Sequence, residues 1–212
     1  MGKQARSRRL TASARPAERG ATAGHPRLKL GLVAGLVVVL VIGLATAAIA
    51  FAAATTTVGS SSLPQGTQVF TESDHSHVYG SVTYDHVPPA GGPHNPVPLN
   101  CGIYTVPVPN ENAVHSLEHG TVWITYLPNL PADQVAALRQ LVASHYVGTE
   151  KYLILSPYAG LPSPIVASAW GYQLGVDQAS DSRLVQFISQ FAGGGQGGEK
   201  GGVCTGGLGN PQ

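Results

Sequence analysis

The sequence predicts a fold of the α/β or α+β class: a small mixed sheet with two packing helices, preceded by a proline-rich loop region and by one N-terminal transmembrane helix. Three observations carry this. Residues 30–54 run for twenty-five positions without a charge. Residues 68–109 hold seven prolines, which remove ladder donors and prevent helix, so that loops and short strands are what fit. From residue 122 onward, apolar periods of two and of 3.6 follow one another in the order strand, helix, strand, strand, helix.

In chain order, residues 1–29 carry eight of the twelve Lys and Arg residues against the single acid Glu18, a net charge of +7. So basic a segment, poor in large apolar residues, is expected to be a disordered cytoplasmic arm. Residues 30–54, as a helix rising 1.5 Å per residue, are long enough to cross a hydrocarbon core of about 30 Å. The basic flank then faces the cytoplasm and the rest of the chain lies outside, a single-pass protein of the cell membrane. A cleaved signal peptide is the alternative. Both the basic region and the apolar run exceed the usual dimensions of one, which favours the uncleaved anchor. Gly31, Gly35 and Gly43 share a stripe on which two anchors can pack, so a homodimer through the anchor is a further expectation.

Residues 55–66 are rich in Thr, Ser, Gly and Pro and read as a flexible linker. The globular domain is expected over residues 67–192, with a glycine-rich tail at 193–212. Beyond the anchor, four bases face ten acids, a net charge of −6. That balance argues against nucleic acid as a partner and leaves an unidentified envelope partner open.

Within the domain, short strands fit near residues 81–84 and 102–106. Residues 113–119 avoid Gly and Pro and precede Gly120, which predicts a helix of at most two turns, with Asn110 or Asn112 as N-cap. Residues 122–127 alternate as a strand. Pro131 and Asp133 open a helix whose apolar face is Val135, Leu138, Leu141 and Val142, stopped by Gly148. Residues 152–155 and 165–170 read as strands joined in a hairpin, and Asp181 caps a last helix presenting Leu184, Phe187, Ile188 and Phe191 on one face. The order is that of thioredoxin-like or ferredoxin-like folds and does not select between them.

The chemistry concentrates in His115-Ser116-Leu117-Glu118-His119. On a helix, histidines four apart share a face with their Cβ atoms roughly 6 Å apart, close enough for one ion. On a strand about 13 Å would separate them. His94 and His77 of the proline-rich loop are candidates to close such a site, and Glu118 to orient a histidine or to ligate. Nitrogen ligands without thiolate suit zinc or copper, and nickel, by ligand type. Cys101 and Cys204 are the two cysteines. Without a Cys-x-x-Cys spacing, in an exported domain, they read as one disulfide, which would pin the glycine-rich tail to the loop that holds His94.

Several of these motifs together resemble a bacterial family known as domain of unknown function 3105. They are Tyr84, the Pro88-Pro89-Ala90-Gly91-Gly92-Pro93-His94 loop, Gly102-Ile103-Tyr104, the segment from Val114 to Gly120, and Ala169-Trp170-Gly171. The resemblance covers roughly residues 68–192 and implies a membrane-anchored, exported domain without an assigned activity. It implies that His77, His94, His115, Glu118 and His119 match the family pattern, whereas His75, His86 and His145 are incidental. Ala90 and Gly91 stand where the family usually has Thr and Ser.

Three functions fit these residues. One is a metal-binding exported domain. A second is a non-catalytic envelope module whose histidines are structural, bonding loop carbonyls. The third is a small metallohydrolase, because His115-x-x-Glu118-His119 is the inverted zinc-protease motif, in which Glu118 would deprotonate a bound water and Glu150 or Glu199 would complete the ligands. An enzyme is the least expected of the three. No phosphate-cradling glycine loop and no serine nucleophile elbow is present.

Overall fold

The computed structural model describes residues 62–145 and 151–212. The basic arm, the expected anchor at 30–54, most of the linker, Gly148 and Glu150 lie outside the described residues. Among the described residues no helix is long and apolar enough to cross a membrane.

Among the described residues, six strands and three helices make a mixed α/β arrangement. They are β1 (Gln68–Val69), β2 (Gly102–Ile103), α1 (Asn110–Glu118), β3 (Val122–Tyr126), α2 (Ala132–Ser144), β4 (Leu153–Pro157), β5 (Ile165–Ala169), β6 (Tyr172–Val176) and α3 (Ser182–Phe191). The strands form one sheet in the order β1-β6-β5-β3-β4-β2. The β3–β4 and β4–β2 pairs are parallel; β3–β5, β5–β6 and β6–β1 are antiparallel.

β3, β4 and β5 are buried along their whole length on both faces of the sheet, their polar Thr125, Ser156 and Ser168 included. Alternation still sorts their side chains. Val122, Ile124 and Tyr126 of β3 join Leu153 and Leu155 of β4 under α2 and α3. Trp123 and Ile154 point the other way, into a second core with Ala113, Val114 and Leu117 of α1. On α3, Leu184, Phe187, Ile188 and Phe191 are buried as their spacing predicts, and the Asp181 side chain accepts the Arg183 backbone N–H as the cap.

Several expectations are corrected. The strands at 153–157 and 165–169 are not hairpin partners, because β3 lies between them, parallel to one and antiparallel to the other. The hairpin in the sheet joins β5 to β6 across Trp170 and Gly171, whose φ of +75° supplies the turn. β6 and β1 went unread in the sequence, and residues 81–84 form no strand. Neither asparagine caps α1, which begins after Pro109 without a side-chain cap. Asn112 instead donates its amide to the carbonyl of Val97. The short helix expected before Gly120 is α1, and the two helices expected in the C-terminal half are α2 and α3.

The glycine-rich tail does not stand apart from the domain. Gly193 N–H donates to Gly120 O, Cys101 N–H to Cys204 O, and Gln212 N–H to Ile103 O. Cys101 and Cys204 pair as a disulfide with Cα atoms 5.2 Å apart, 103 residues apart in sequence. Residues 193–209 therefore form a strap across α1. Glycine is what permits the approach: a Cβ at Gly197 would collide with the backbone of Glu118, and one at Gly202 with the ring of His119.

Candidate metal centre

Helix α1 is buried along most of its length, which puts unusual demands on its polar residues. Ala113, Val114 and Leu117 face the core. Ser116 ties the helix to the proline-rich loop, accepting from Leu99 N–H at 2.9 Å and lying 2.7 Å from Leu99 O. That leaves His115, Glu118 and His119 on the side covered by the loop and the strap.

The loop is held from behind. Gln173 Nε2 donates to Pro88 O at 2.6 Å, Gly171 N–H to Ala90 O at 2.7 Å, and Tyr84 Oη to Pro93 O at 2.8 Å. Ala90 thus takes part through its carbonyl. Gly91, at φ +149°, leaves no room for a Cβ beside Glu72. Burial, ahead of the nearby Glu111 charge, pushes the Tyr84 phenol well above its ordinary value, so it stays a donor. These bonds carry His94 to the interior, where it is fully buried. His77 runs beside it, with Val78 N–H donating to His94 O and His94 N–H to Ser76 O.

Three imidazoles are oriented in the same way. His94 Nδ1 lies 2.8 Å from Gly92 O, His115 Nδ1 2.6 Å from Asn95 O, and His119 Nδ1 2.8 Å from Val203 O. A carbonyl only accepts, so each ring carries its proton on Nδ1 and turns the Nε2 lone pair inward. In neutral rings the inward atoms then meet without a proton between them. His115 Nε2 and His119 Nε2 are 3.0 Å apart. His94 Nε2 lies 2.9 Å from Glu118 Oε2, yet both atoms are buried and neither makes a hydrogen bond. Burial pushes the His115 imidazole below its ordinary value, against the pull of the Asn95 carbonyl and together with His119, His94 and His77. A neutral ring with a free lone pair is the result.

Two overlapping groups of ligand atoms can hold a metal ion, each with its atoms within 4.8 Å of one another. One is His77, His94, His115 and Glu118; the other is His115, His119 and Glu199. The five residues expected from the sequence are thus adjacent but do not form one ligand set. His119 falls with Glu199 of the strap, at 3.2 Å, rather than with His94 and Glu118. Two ligands each about 2.0–2.1 Å from an ion, at angles of about 90–110°, stand about 2.9–3.4 Å apart, a span that includes all three contacts.

Sequence reasoning set His75 aside, and the structure does not. Its Nδ1 lies 2.5 Å from Glu118 Oε1, and its ring stacks on Trp170 at 4.4 Å. His75 thereby orients the carboxylate that faces His94. Its partner is 43 residues away in sequence, so no local signal marks it. His86 stacks on Phe70 near Glu72, and His145 bonds the end of α2, both outside the cluster.

Residues 75–206 match the family described as protein of unknown function (DUF3105). No curated protein and no solved structure matches the chain. The match spans every residue of both ligand groups, and the chain belongs to the DUF3105 family.

Proposed function

We propose that this chain is a membrane-anchored, extracytoplasmic domain that binds one transition-metal ion through its histidine cluster. One observation carries the reading: three imidazoles, each with Nδ1 engaged by a backbone carbonyl, direct their Nε2 atoms at one another and at a buried carboxylate. Such outer carbonyl partners are how proteins fix the tautomer of a ligating histidine. The donor set, imidazole and carboxylate without thiolate, suits zinc or copper.

Anchoring is supported by the uncharged run at 30–54 behind a +7 arm, and an oxidising location by the disulfide. The metallohydrolase reading loses support at Glu118, whose two oxygens face His75 and His94 and whose side chain is 5% exposed. Oε1 is bonded to His75 and Oε2 is buried against His94 Nε2, so neither oxygen faces a place where it could take a proton from a metal-bound water.

Histidines that merely brace the loop are the competing reading. They would need one extra proton on His94 and another shared by His115 and His119. Metal analysis of the full chain, purified in detergent, loaded with zinc or copper(II) and desalted, separates the two. We expect one equivalent in the wild type and less than a tenth of one in a His94→Gln, His115→Gln version that circular dichroism shows to be folded. A wild-type protein that retains no ion sinks the proposal.

A further inference from the structure

The two ligand groups share His115, and His115 has one lone pair to give. Its Nδ1 proton is committed to Asn95 O, so only Nε2 remains, and one Nε2 binds one ion at a time. A pair of ions held side by side would repel each other, a repulsion that a carboxylate bridging them would offset. Glu118 does not supply one, because Oε1 is held by His75 and only Oε2 is free. Glu199 faces His119 and is not part of the loop group. Two complete sets of ligands therefore compete for a single ion.

The two sets differ in ways that give a direction. The strap set has three ligands, one of them the Glu199 carboxylate, whose side chain is 53% exposed. The loop set has four, including the fully buried His94 and the carboxylate oxygen of Glu118 that no hydrogen bond satisfies. Its exposed member, His77, packs on His94 and His115 and is not part of the strap group. An exposed anion attracts a cation from solvent, and a buried, unsatisfied carboxylate holds one more strongly.

We propose that the domain is a one-ion relay with two seats that share His115 Nε2. A divalent transition-metal ion enters at the strap seat (Glu199, His119, His115) and passes to the loop seat (His115, His94, His77, Glu118) as His115 stays bound and its neighbours exchange. No bond other than metal–ligand bonds is made or broken, and no electron moves. Each seat has one ligand at the surface, so an ion received at Glu199 can be given up to an acceptor at His77. The chemistry is that of metal transfer rather than of storage or hydrolysis. This inference rests on the metal-binding reading above and adds to it a second seat and a direction.

Cobalt(II) alone, added to the full chain in detergent, tests it, since its visible spectrum reports the ligands. The wild type is expected to take up one equivalent in two kinetic phases. Glu199→Gln, at an exposed position where folding is not at stake, is expected to slow uptake about tenfold with the final stoichiometry unchanged. His94→Gln is expected to keep one equivalent at the strap seat, with a spectrum like that of the wild type's fast phase and release to a chelator about tenfold faster. Two equivalents bound by the wild type would overturn the relay while leaving metal binding intact. So would unaltered uptake by Glu199→Gln, or a folded His94→Gln protein that binds nothing. A wild type that binds no cobalt would remove the metal reading and the relay together.

Discussion

His94 Nε2 and Glu118 Oε2 stand 2.9 Å apart in the interior, and neither makes a hydrogen bond. With the ring proton on Nδ1, two lone pairs face each other there. An ion or a second proton would resolve the contact.

Glu118→Gln tells these apart. The amide oxygen can still accept from His75 Nδ1, and the amide N–H can donate to His94 Nε2. If the contact awaits an ion, the metal-free variant should be more stable than the metal-free wild type by about 1 kcal/mol, while its ion affinity falls about 10–100-fold. If His94 is instead a doubly protonated partner of Glu118, breaking a buried ion pair should destabilise the protein by about 3–5 kcal/mol. Urea midpoints measured in chelator give the sign directly.

Gly202 and Gly201 are adjacent in the strap, yet substitution should affect them differently. A Cβ at 202 meets the His119 ring, so Gly202→Ala must displace either ring or strap, at about 1–3 kcal/mol, and weaken ion binding. At 201 the backbone has φ +83° with open space around it. Gly201→Ala should cost about 1–2 kcal/mol in backbone strain and leave ion binding alone. Paired denaturation curves and cobalt titrations check both halves; equal losses of affinity would argue against the packing of the strap on His119.

The disulfide closes a loop of 103 residues. Replacing Cys101 and Cys204 by serine should lower stability by up to about 4.7 kcal/mol on the chain-entropy account. It should also loosen Val203, whose carbonyl holds His119. Reduction of the wild type should reproduce both effects in urea unfolding and in cobalt uptake. Uptake that ignores the redox state would show the strap to be held by other contacts.

Far from the centre, Asp181 offers a control. Its carboxylate accepts the Arg183 backbone N–H at 2.9 Å and pairs with the guanidinium. The hydrogen bonds from the Arg183 side chain hold it below the ordinary carboxylate range. A lowered folded value means that this contribution is present above the unfolded carboxylate range and is lost as the pH falls through the folded value. Asp181→Ala should cost about 1 kcal/mol at neutral pH through the lost cap, and Asp181→Asn much less, since the amide oxygen still caps and exposed ion pairs add little. The gap between wild type and Asp181→Asn should close in acid, as thermal melts at pH 3 and pH 7 would show.

Local pattern and global pairing were unequally legible. Helix α3 was readable because four apolar residues at one-face spacing need only one buried surface, whichever strands supply it. The partner of β4 was not, because sequence order says nothing of which side of β3 a returning strand takes. β6 does alternate, with Tyr172, Leu174 and Val176 between Gln173 and Gly175, but it is short and carries a glycine, which weakens a strand signal. His115 and His119 could be read as one face because their spacing is local. The bond from His75 to Glu118 and the packing of the strap glycines depend on contacts between distant segments, and a run of glycine looks the same whether it fills space or lets backbone touch backbone.

The strap also orders the events of synthesis. His119 leaves the ribosome some eighty residues before Glu199 and Val203, so a nascent chain that already holds α1 has neither the carboxylate nor the carbonyl that complete its outer ligand set. The loop group, all of it made by residue 118, is therefore complete in sequence before the strap group, and only the finished chain carries both.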